Sequence, residues 1–227
     1  MPTEWGDAAK KLMELADKFL TEIVVPPIKP PLEEIGQLSR DHIRYWRFQN
    51  QIKILNKASE QLNKVGLSPK KIPSKLLVPL LENGSLEDDE NMIERWANLL
   101  ANAVNPDSSI NVNAGIIETL KQLTPKEAYI LDIFHDYYIT EVRNETRGNE
   151  EKSISLRTAD LYKMCNLEVH EYESAIDNLI RLDLFGHNAI LFSPPQGEYY
   201  YSSSDKLEIK LTRFGLKFIA ACKSKYK

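Results

Sequence analysis

The segment from Pro73 to Pro106, PSKLLVPLLENGSLEDDENMIERWANLLANAVNP, constrains the fold of this chain more than any other. Its apolar run WANLLANAV ends at Asn105-Pro106, where the proline prevents a helix from continuing. Asn83-Gly84 marks a turn before that run. The pattern predicts a brief helix over 73–82 and a second helix that ends at about residue 104.

The second of these helices carries two further features. Ser85 and Asp88 resemble a capping box, and the acidic residues Glu87 to Glu90 suit a first helical turn, where the helix dipole favours negative charge. The same acidic cluster could hold a hard cation, but helix capping explains it better. The WANLLANAV run fits either an internal core or a dimer interface.

The rest of the N-terminal half is also predicted to be helical, because apolar residues recur at helical spacing. The predicted helices are 4–24, 32–65 and 114–122. The prolines of Val24 to Pro31 favour a stiff, extended connector, and Gly66 suits a helix end. We place a domain boundary near Leu123, so residues 1–123 are predicted to form a helical domain.

The C-terminal half alternates between helices and short strands. The predicted helices are 124–144, 158–165, 169–182 and a last one that Thr212 caps, and the predicted strands are 153–156, 188–192 and 206–211. This order is typical of a winged helix-turn-helix domain. The fold class is therefore predicted to be mainly α, with a winged-helix-like domain and a small β wing over 124–227.

Charge argues against nucleic-acid binding. The formal net charge is −4, shared equally between the two predicted domains, so neither domain is basic overall. The third helix of a winged helix normally enters the major groove of DNA. Here that helix offers several carboxylates, including Glu171 and Glu173, and only Arg181 as a basic residue. Nucleic acid is therefore a disfavoured partner, and a protein-interaction or purely structural role is favoured.

The candidate interaction residues of this domain are Glu171 and Glu173 on the third helix and Tyr199, Tyr200 and Tyr201 in the wing. Tyrosine provides a large contact area at a low entropy cost, which suits a protein interface. The alternative is a wing that folds back on its own core. The first interpretation predicts a protein partner or self-association.

The most basic stretch is RDHIRYWRFQNQIKILNK, from Arg40 to Lys57. Its candidate interaction residues are Arg40, Arg44, Tyr45 and Arg47. Basic and aromatic residues interleaved on a helix can bind RNA, anionic lipid or an acidic partner. The alternative, which we favour, is an ordinary amphipathic helix whose cations pair with acidic neighbours.

No catalytic, cofactor or metal site is predicted. The four histidines lack a partner at metal-ligand spacing, and the sequence contains no glycine-rich phosphate loop or nucleophile motif. Cys165 and Cys222 lie in apolar surroundings and are expected to be buried thiols in a reducing compartment. The sequence shows no signal peptide and no apolar run long enough to span a membrane, so a cytoplasmic location is expected.

Two segments resemble the abortive infection alpha (Abi-alpha) family. The segment YWRFQNQIKILNKA, Tyr45 to Ala58, is similar to the tryptophan-containing helix of the family, and Ile72 to Pro106 is similar to its central motif. The family is associated with bacterial defence against phage through abortive infection. The resemblance therefore implies a biological setting, but no catalytic residues and no mechanism.

The sequence leaves three functional hypotheses. The first, which we favour, is a non-enzymatic antiphage protein that acts through protein–protein contacts. The second is a DNA-binding transcriptional regulator, supported by the winged-helix pattern. The third is a membrane-associated effector, supported by the proline-interrupted apolar segment FLTEIVVPPIKPPL, which is too short to span a bilayer.

Overall fold

A computed structural model describes residues 7–23, 42–145, 154–188 and 207–223 of the chain. In these residues the protein is mainly helical with a small three-stranded antiparallel sheet near the C-terminus, which confirms the predicted fold class at that level. The helices are α1 (Asp7–Ile23), α2 (His42–Lys64), α3 (Ser74–Gly84), α4 (Glu90–Val104), α5 (Ala114–Lys121), α6 (Pro125–Glu145), α7 (Thr158–Cys165), α8 (Val169–Arg181) and α9 (Arg213–Cys222). The strands are β1 (Leu156–Arg157), β2 (Phe185–Asn188) and β3 (Glu208–Leu211).

The chain divides into two compact units. The first contains residues 1–122 and 220–227, and the second contains residues 123–219. Helix α9 therefore begins in the second unit, and its last turn belongs to the first.

The first unit is built around two parallel helices, α2 and α4. Their polar contacts, which we call the polar seam, join Lys53 to Glu90, Lys57 to Glu94 and Gln61 to Asn98, each across 37 positions. A constant offset at successive helical turns requires both helices to run in the same direction. The buried apolar residues beside this seam include Ile54, Ala58 and Leu62 of α2 and Ile93, Trp96 and Leu100 of α4.

Helix α4 lies in the core of this unit. Twelve of its fifteen residues are buried, including every residue of the WANLLANAV run. This burial occurs within the single chain, so the run forms an internal core and does not depend on a dimer interface.

Two glycines shape the first unit. Gly66 follows α2 with a φ of +68°, a left-handed conformation that confirms the predicted helix end. Gly84 lies at the end of α3, where a Cβ atom would be 2.7 Å from Cδ1 of Ile54 and 3.0 Å from Cγ of Trp96. Any larger residue at Gly84 would therefore displace these buried side chains.

The second unit contains α6, β1, α7, α8, β2 and β3 and the first part of α9. The strands pair antiparallel in the order β1-β3-β2, with Phe185 opposite Leu211. Ile209 and Leu211 are buried and Glu208 and Lys210 are half-buried, so burial alternates along β3. Helix α9 passes so close to β2 that a Cβ atom at Gly215 would collide with the carbonyl oxygen of Leu184.

Threonines cap two helix starts in the second unit, and the cap at Thr212 confirms the prediction. The hydroxyl of Thr124 accepts the N–H of Glu127 at 3.3 Å, and the carboxylate of Glu127 accepts the N–H of Thr124 at 2.7 Å. This reciprocal pair is a capping box at the start of α6. Thr212 caps α9 in the same way, because its hydroxyl accepts the N–H of Gly215 at 2.8 Å.

The predicted cap of α4 is wrong. The helix begins only at Glu90, and Asp89 is its N-cap, with a carboxylate that accepts two backbone N–H groups at 2.9 and 3.0 Å. Most of the acidic cluster therefore precedes the helix. Ser85 does not pair with Asp88; it is buried, and its hydroxyl donates to the backbone oxygen of Glu82 at 2.6 Å.

Two predicted strands differ in their bounds from the structure. Strand β2 (Phe185–Asn188) begins three residues before the predicted strand 188–192, of which 189–192 lie outside the described residues. Strand β1 spans Leu156–Arg157, whereas the predicted strand covers 153–156. The proline-rich connector over 24–31 lies outside the described residues, as does the predicted start of the second helix before His42.

Replacing Trp96 with alanine should lower the free energy of unfolding by about 3–5 kcal/mol, because the indole is fully buried and its removal leaves a cavity. Chemical denaturation followed by circular dichroism measures the loss. Trp46→Ala is the matched control, since Trp46 is only partly buried and its loss should be smaller. A loss below about 1 kcal/mol at Trp96 would contradict its place in the core.

Candidate interaction surfaces

Two lysines of the basic stretch are engaged within the first unit. Lys53 Nζ lies 2.6 Å from Glu90 Oε1, and Lys57 Nζ lies 2.7 Å from Glu94 Oε2. The hydrogen bond to Glu94 raises the pKa of Lys57, and the hydrogen bond from Lys53 lowers the pKa of Glu90. All four side chains are more than a third exposed, so each pair contributes little stability. These lysines attach α2 to α4 and do not form an uncompensated basic face.

Arg47 and Asn50 bind the turn between α3 and α4. Arg47 donates from Nε to the hydroxyl of Ser85 at 3.0 Å. The side-chain amide of Asn50 donates to the backbone oxygens of Ser85 and Glu87 at 3.2 and 2.7 Å. Arg47, a candidate interaction residue, therefore makes a structural contact.

The other candidate residues of the basic stretch have different surroundings. Arg44 is exposed, and Tyr45 is half-buried, with a hydroxyl that accepts a hydrogen bond from Gln49 at 3.0 Å. Arg40 lies outside the described residues. The pairing along α2 supports the amphipathic-helix interpretation for the part of the stretch that the structure covers.

Glu87 is a partly desolvated carboxylate beside the core. Its Oε1 accepts a hydrogen bond from Nε1 of Trp96 at 3.0 Å. Burial raises the pKa of Glu87, the hydrogen bond from Trp96 opposes that change, and repulsion from Asp88 and Asp89 adds to it. The ionised side chain therefore opposes folding, and its hydrogen bond offsets only part of that effect.

A chain of buried amides connects α2, α4 and the end of α9. Gln61 donates from Nε2 to Oδ1 of Asn98 at 2.5 Å, and Asn98 donates from Nδ2 to the backbone oxygen of Cys222 at 3.0 Å. One turn along α4, Asn102 donates to the backbone oxygen of Ala221 at 2.9 Å. The last four carbonyls of a helix lack partners within it, so these amides satisfy two of them.

The sequence analysis missed the amides of α4, although a signal for them exists. Asn98 and Asn102 are four residues apart in an otherwise apolar run, which puts both amides on one helix face. A buried amide must be hydrogen-bonded, so this spacing indicates a polar partner inside the core. Nothing in the local sequence identifies the end of α9 as that partner.

In the second unit, α8 has a buried inner face and an acidic outer face. The inner face comprises Tyr172, Ala175, Ile176 and Leu179. Glu171 forms an ion pair with Lys126 of α6, and this hydrogen bond lowers the pKa of Glu171. Glu173 and Asp177 are exposed, and neither forms an ion pair with any residue that the structure describes. The outer face therefore keeps two uncompensated carboxylates.

The only arginine of α8 does not offset this charge at the start of the helix. Arg181 lies in the last turn and donates from Nε to Oδ1 of Asn178 at 2.9 Å. Asn178 in turn donates to Oε1 of Glu127 at 2.7 Å. The tyrosines Tyr199 to Tyr201 of the predicted wing lie outside the described ranges.

Both cysteines and the hydroxyl of Tyr172 are buried. Cys165 and Cys222 are buried thiols that form no disulfide bond, and their burial was predicted; burial raises the pKa of Cys165 to about 11, which makes it a poor nucleophile. The hydroxyl of Tyr172 donates to the backbone oxygen of Thr158 at 2.7 Å and is buried with it. In the described part of the chain, no three histidine, cysteine or acidic side chains are grouped as metal ligands.

Comparison with known proteins gives one match. The model of a family described as abortive infection alpha matches residues 49–222, which is more than half of the chain and includes parts of both units. No curated protein matches the chain, and no solved structure does. Across the described ranges, no helix has both the length and the apolar character needed to cross a membrane.

Replacing Glu87 with glutamine should raise the free energy of unfolding at neutral pH by less than about 1 kcal/mol, because the side chain is only partly buried. Glutamine removes the charge but can still accept the hydrogen bond from Trp96. Since folding raises the pKa of Glu87, the wild type loses stability as pH rises through the folded-state pKa, and the advantage of the variant should disappear below pH 4.5. Denaturant titrations at both pH values measure this, and an equal gain at both would contradict it.

Replacing Asn98 with alanine should lower the free energy of unfolding by about 1–3 kcal/mol, because Gln61 and the carbonyl of Cys222 both lose a buried hydrogen-bond partner. Asn63→Ala is the matched control, since Asn63 is an exposed amide of α2. Thermal and chemical unfolding measure both variants. Equal stability of the two variants would show that the amide chain contributes nothing.

Proposed function

The chain belongs to the abortive infection alpha family, and we propose that it protects bacteria against phage through protein–protein contacts, not through catalysis. The observation that carries this mechanism is the acidic outer face of α8, where Glu173 and Asp177 are exposed. Such a face favours a protein partner over a nucleic acid, because phosphates are repelled by carboxylates.

The second unit is proposed to be a docking module of the winged-helix type. Its element order, α6-β1-α7-α8-β2-β3, and its strand order, β1-β3-β2, are compatible with that architecture. Helices α7 and α8 would form the helix-turn-helix, with Asn166 in a left-handed conformation, φ +47°, at the turn. Helix α8 then corresponds to the helix that enters the major groove in DNA-binding members of this architecture.

The charge of α8 is the reason to prefer a protein partner. Proteins bind nucleic acid chiefly by neutralising phosphates with lysine and arginine. Lys126 of α6 pairs with Glu171 of α8, but Glu173 and Asp177 form no ion pair within the described chain. A cationic protein surface would relieve the repulsion between these carboxylates, whereas a phosphate backbone would increase it.

The first unit is proposed to be a scaffold. Its most basic helix, α2, directs Lys53 and Lys57 to carboxylates of α4, and Arg47 to a buried hydroxyl. The segment Ile72 to Pro106, which resembles the central motif of the family, contains α4, and α4 is buried together with its polar residues Asn98 and Asn102. These contacts support a structural role for the polar groups of α2 and α4.

A DNA-binding regulator is the second candidate, and the element order of the second unit favours it. This candidate predicts that the protein retards duplex DNA at low salt, with a retardation that weakens steeply as salt rises. The proposed function predicts no retardation at any salt concentration.

Bacteria that express the chain should survive phage challenge when phages are few per cell, and the culture should collapse when phages are in excess, because abortive infection removes infected cells before progeny are released. Growth curves and phage titres over a panel of phages measure this outcome. Protection should be lost with Glu173→Lys and retained with the matched surface change Glu60→Lys in the first unit.

Two further variants act as controls for this experiment. Trp96→Ala should abolish protection because it removes the core of the first unit. Cys165→Ala should preserve protection if the thiol has no chemical role. Absence of protection against every phage, with a folded wild-type chain present in the cells, would contradict the proposed function.

A further inference from the structure

Pairs of like charges occur at equal spacing on two helices of the second unit. Glu173 and Asp177 are four residues apart on α8, and Arg213 and Lys217 are four residues apart on α9. All four side chains are exposed. None of them forms an ion pair with another described residue. Like charges four residues apart on a helix repel each other, and no ion pair within the described chain relieves that repulsion on either helix.

Several other charges in this unit form ion pairs. Lys126 pairs with Glu171, and Arg157 and Lys163 both pair with Asp160. Glu173 with Asp177, and Arg213 with Lys217, remain as two groups of like charge on two different helices. The unit carries an anionic surface on α8 and a cationic surface on α9.

The spacing of the two pairs is complementary. Residues four apart on an α-helix lie on one face, about 6 Å apart along the axis. Two helices that pack side by side can therefore oppose both carboxylates of one to both cations of the other. Val169, one turn before Glu173 on the same stripe of α8, is 53% exposed and adds an apolar group to the anionic surface.

We infer that the α8 carboxylates of this chain bind the α9 cations of a second copy of it. The inference rests on the proposed function in one respect, the use of α8 as the docking face. It adds the identity of the partner, a second copy of the chain. Exposed ion pairs contribute little each, so the association should be weak and should weaken further as salt rises. Each copy carries both halves of the contact, so two copies can exchange both pairs around a two-fold axis.

Charge-reversal variants of the full-length chain test this contact. Sedimentation velocity over a range of protein concentrations, at low and high salt, measures the self-association of each variant. The double variants Glu173→Lys/Asp177→Lys and Arg213→Glu/Lys217→Glu should each weaken self-association about tenfold or more, because each turns both attractive pairs of every α8–α9 contact into repulsive ones. An equimolar mixture of the two variants should restore association. A single chain that carries all four substitutions should associate like the wild type.

The matched control is Glu60→Lys/Glu82→Lys, which changes the net charge as much as the α8 variant does, at exposed positions of the first unit. It should leave association unchanged. Thermal unfolding by circular dichroism tests whether each variant is folded. Rescue in the mixture cannot arise from unfolded chains, so it identifies direct contact between the two surfaces.

A wild-type chain that stays monomeric at every concentration and salt overturns the inference, as does a mixture of folded variants that fails to associate. Phage challenge with the same variants separates this result from the proposed function. If the wild-type chain is monomeric and the α8 variant nevertheless loses protection, self-association is overturned and a different cationic protein partner is supported. Full protection by both double variants would overturn the docking role of α8 in the proposed function.

Discussion

The parallel contact between α2 and α4 is the constraint on which the first unit depends. Its apolar residues supply most of the stabilisation, because area removed from water contributes more than exposed ion pairs do. The polar seam acts differently: its contacts recur at one offset of 37 positions, so a shift of one helix by a single residue would separate every pair. The apolar contact therefore holds the helices together, and the polar seam fixes their register.

Because α4 lies at the centre of that contact, the WANLLANAV run, which belongs to the segment that resembles the central motif of the family, is core and not an exposed site. Trp96 contributes its ring to the core and its N–H to Glu87, and the amides of Asn98 and Asn102 hold the last turn of α9. An asparagine in a core is stabilising only when its partners are in place. The position of the last turn of α9 thus depends on contacts from α4, 119 and 124 positions earlier in the sequence.

Features that depend on neighbouring residues could be predicted from the sequence, and features that depend on distant residues could not. Helix α7 spans Thr158–Cys165 as predicted, because its periodicity and its left-handed end at Asn166 are local. Ser85 and Asp89 both suit an N-cap, and the choice between them depends on contacts from α2, made 38 and 35 positions away by Arg47 and Asn50. The sequence predicts the acidic character of α8. It does not predict that Lys126, 45 positions away, pairs with Glu171, because that contact depends on the tertiary fold.

That last distinction matters for the proposed docking role of the second unit. In the proposed helix-turn-helix arrangement one face of α8 is exposed, so the fold would determine where a partner docks and the charges would determine which partner it is. Glu171 pairs with Lys126, so Glu173 and Asp177 are the exposed carboxylates of α8 that form no ion pair within the described chain. The cations that could neutralise them, Arg213 and Lys217, lie on α9 of the same unit yet make no ion pair with them within the described chain. Because the two surfaces form no ion pair with each other within the described chain, the proposed self-association would bring each surface against its complement on a second chain.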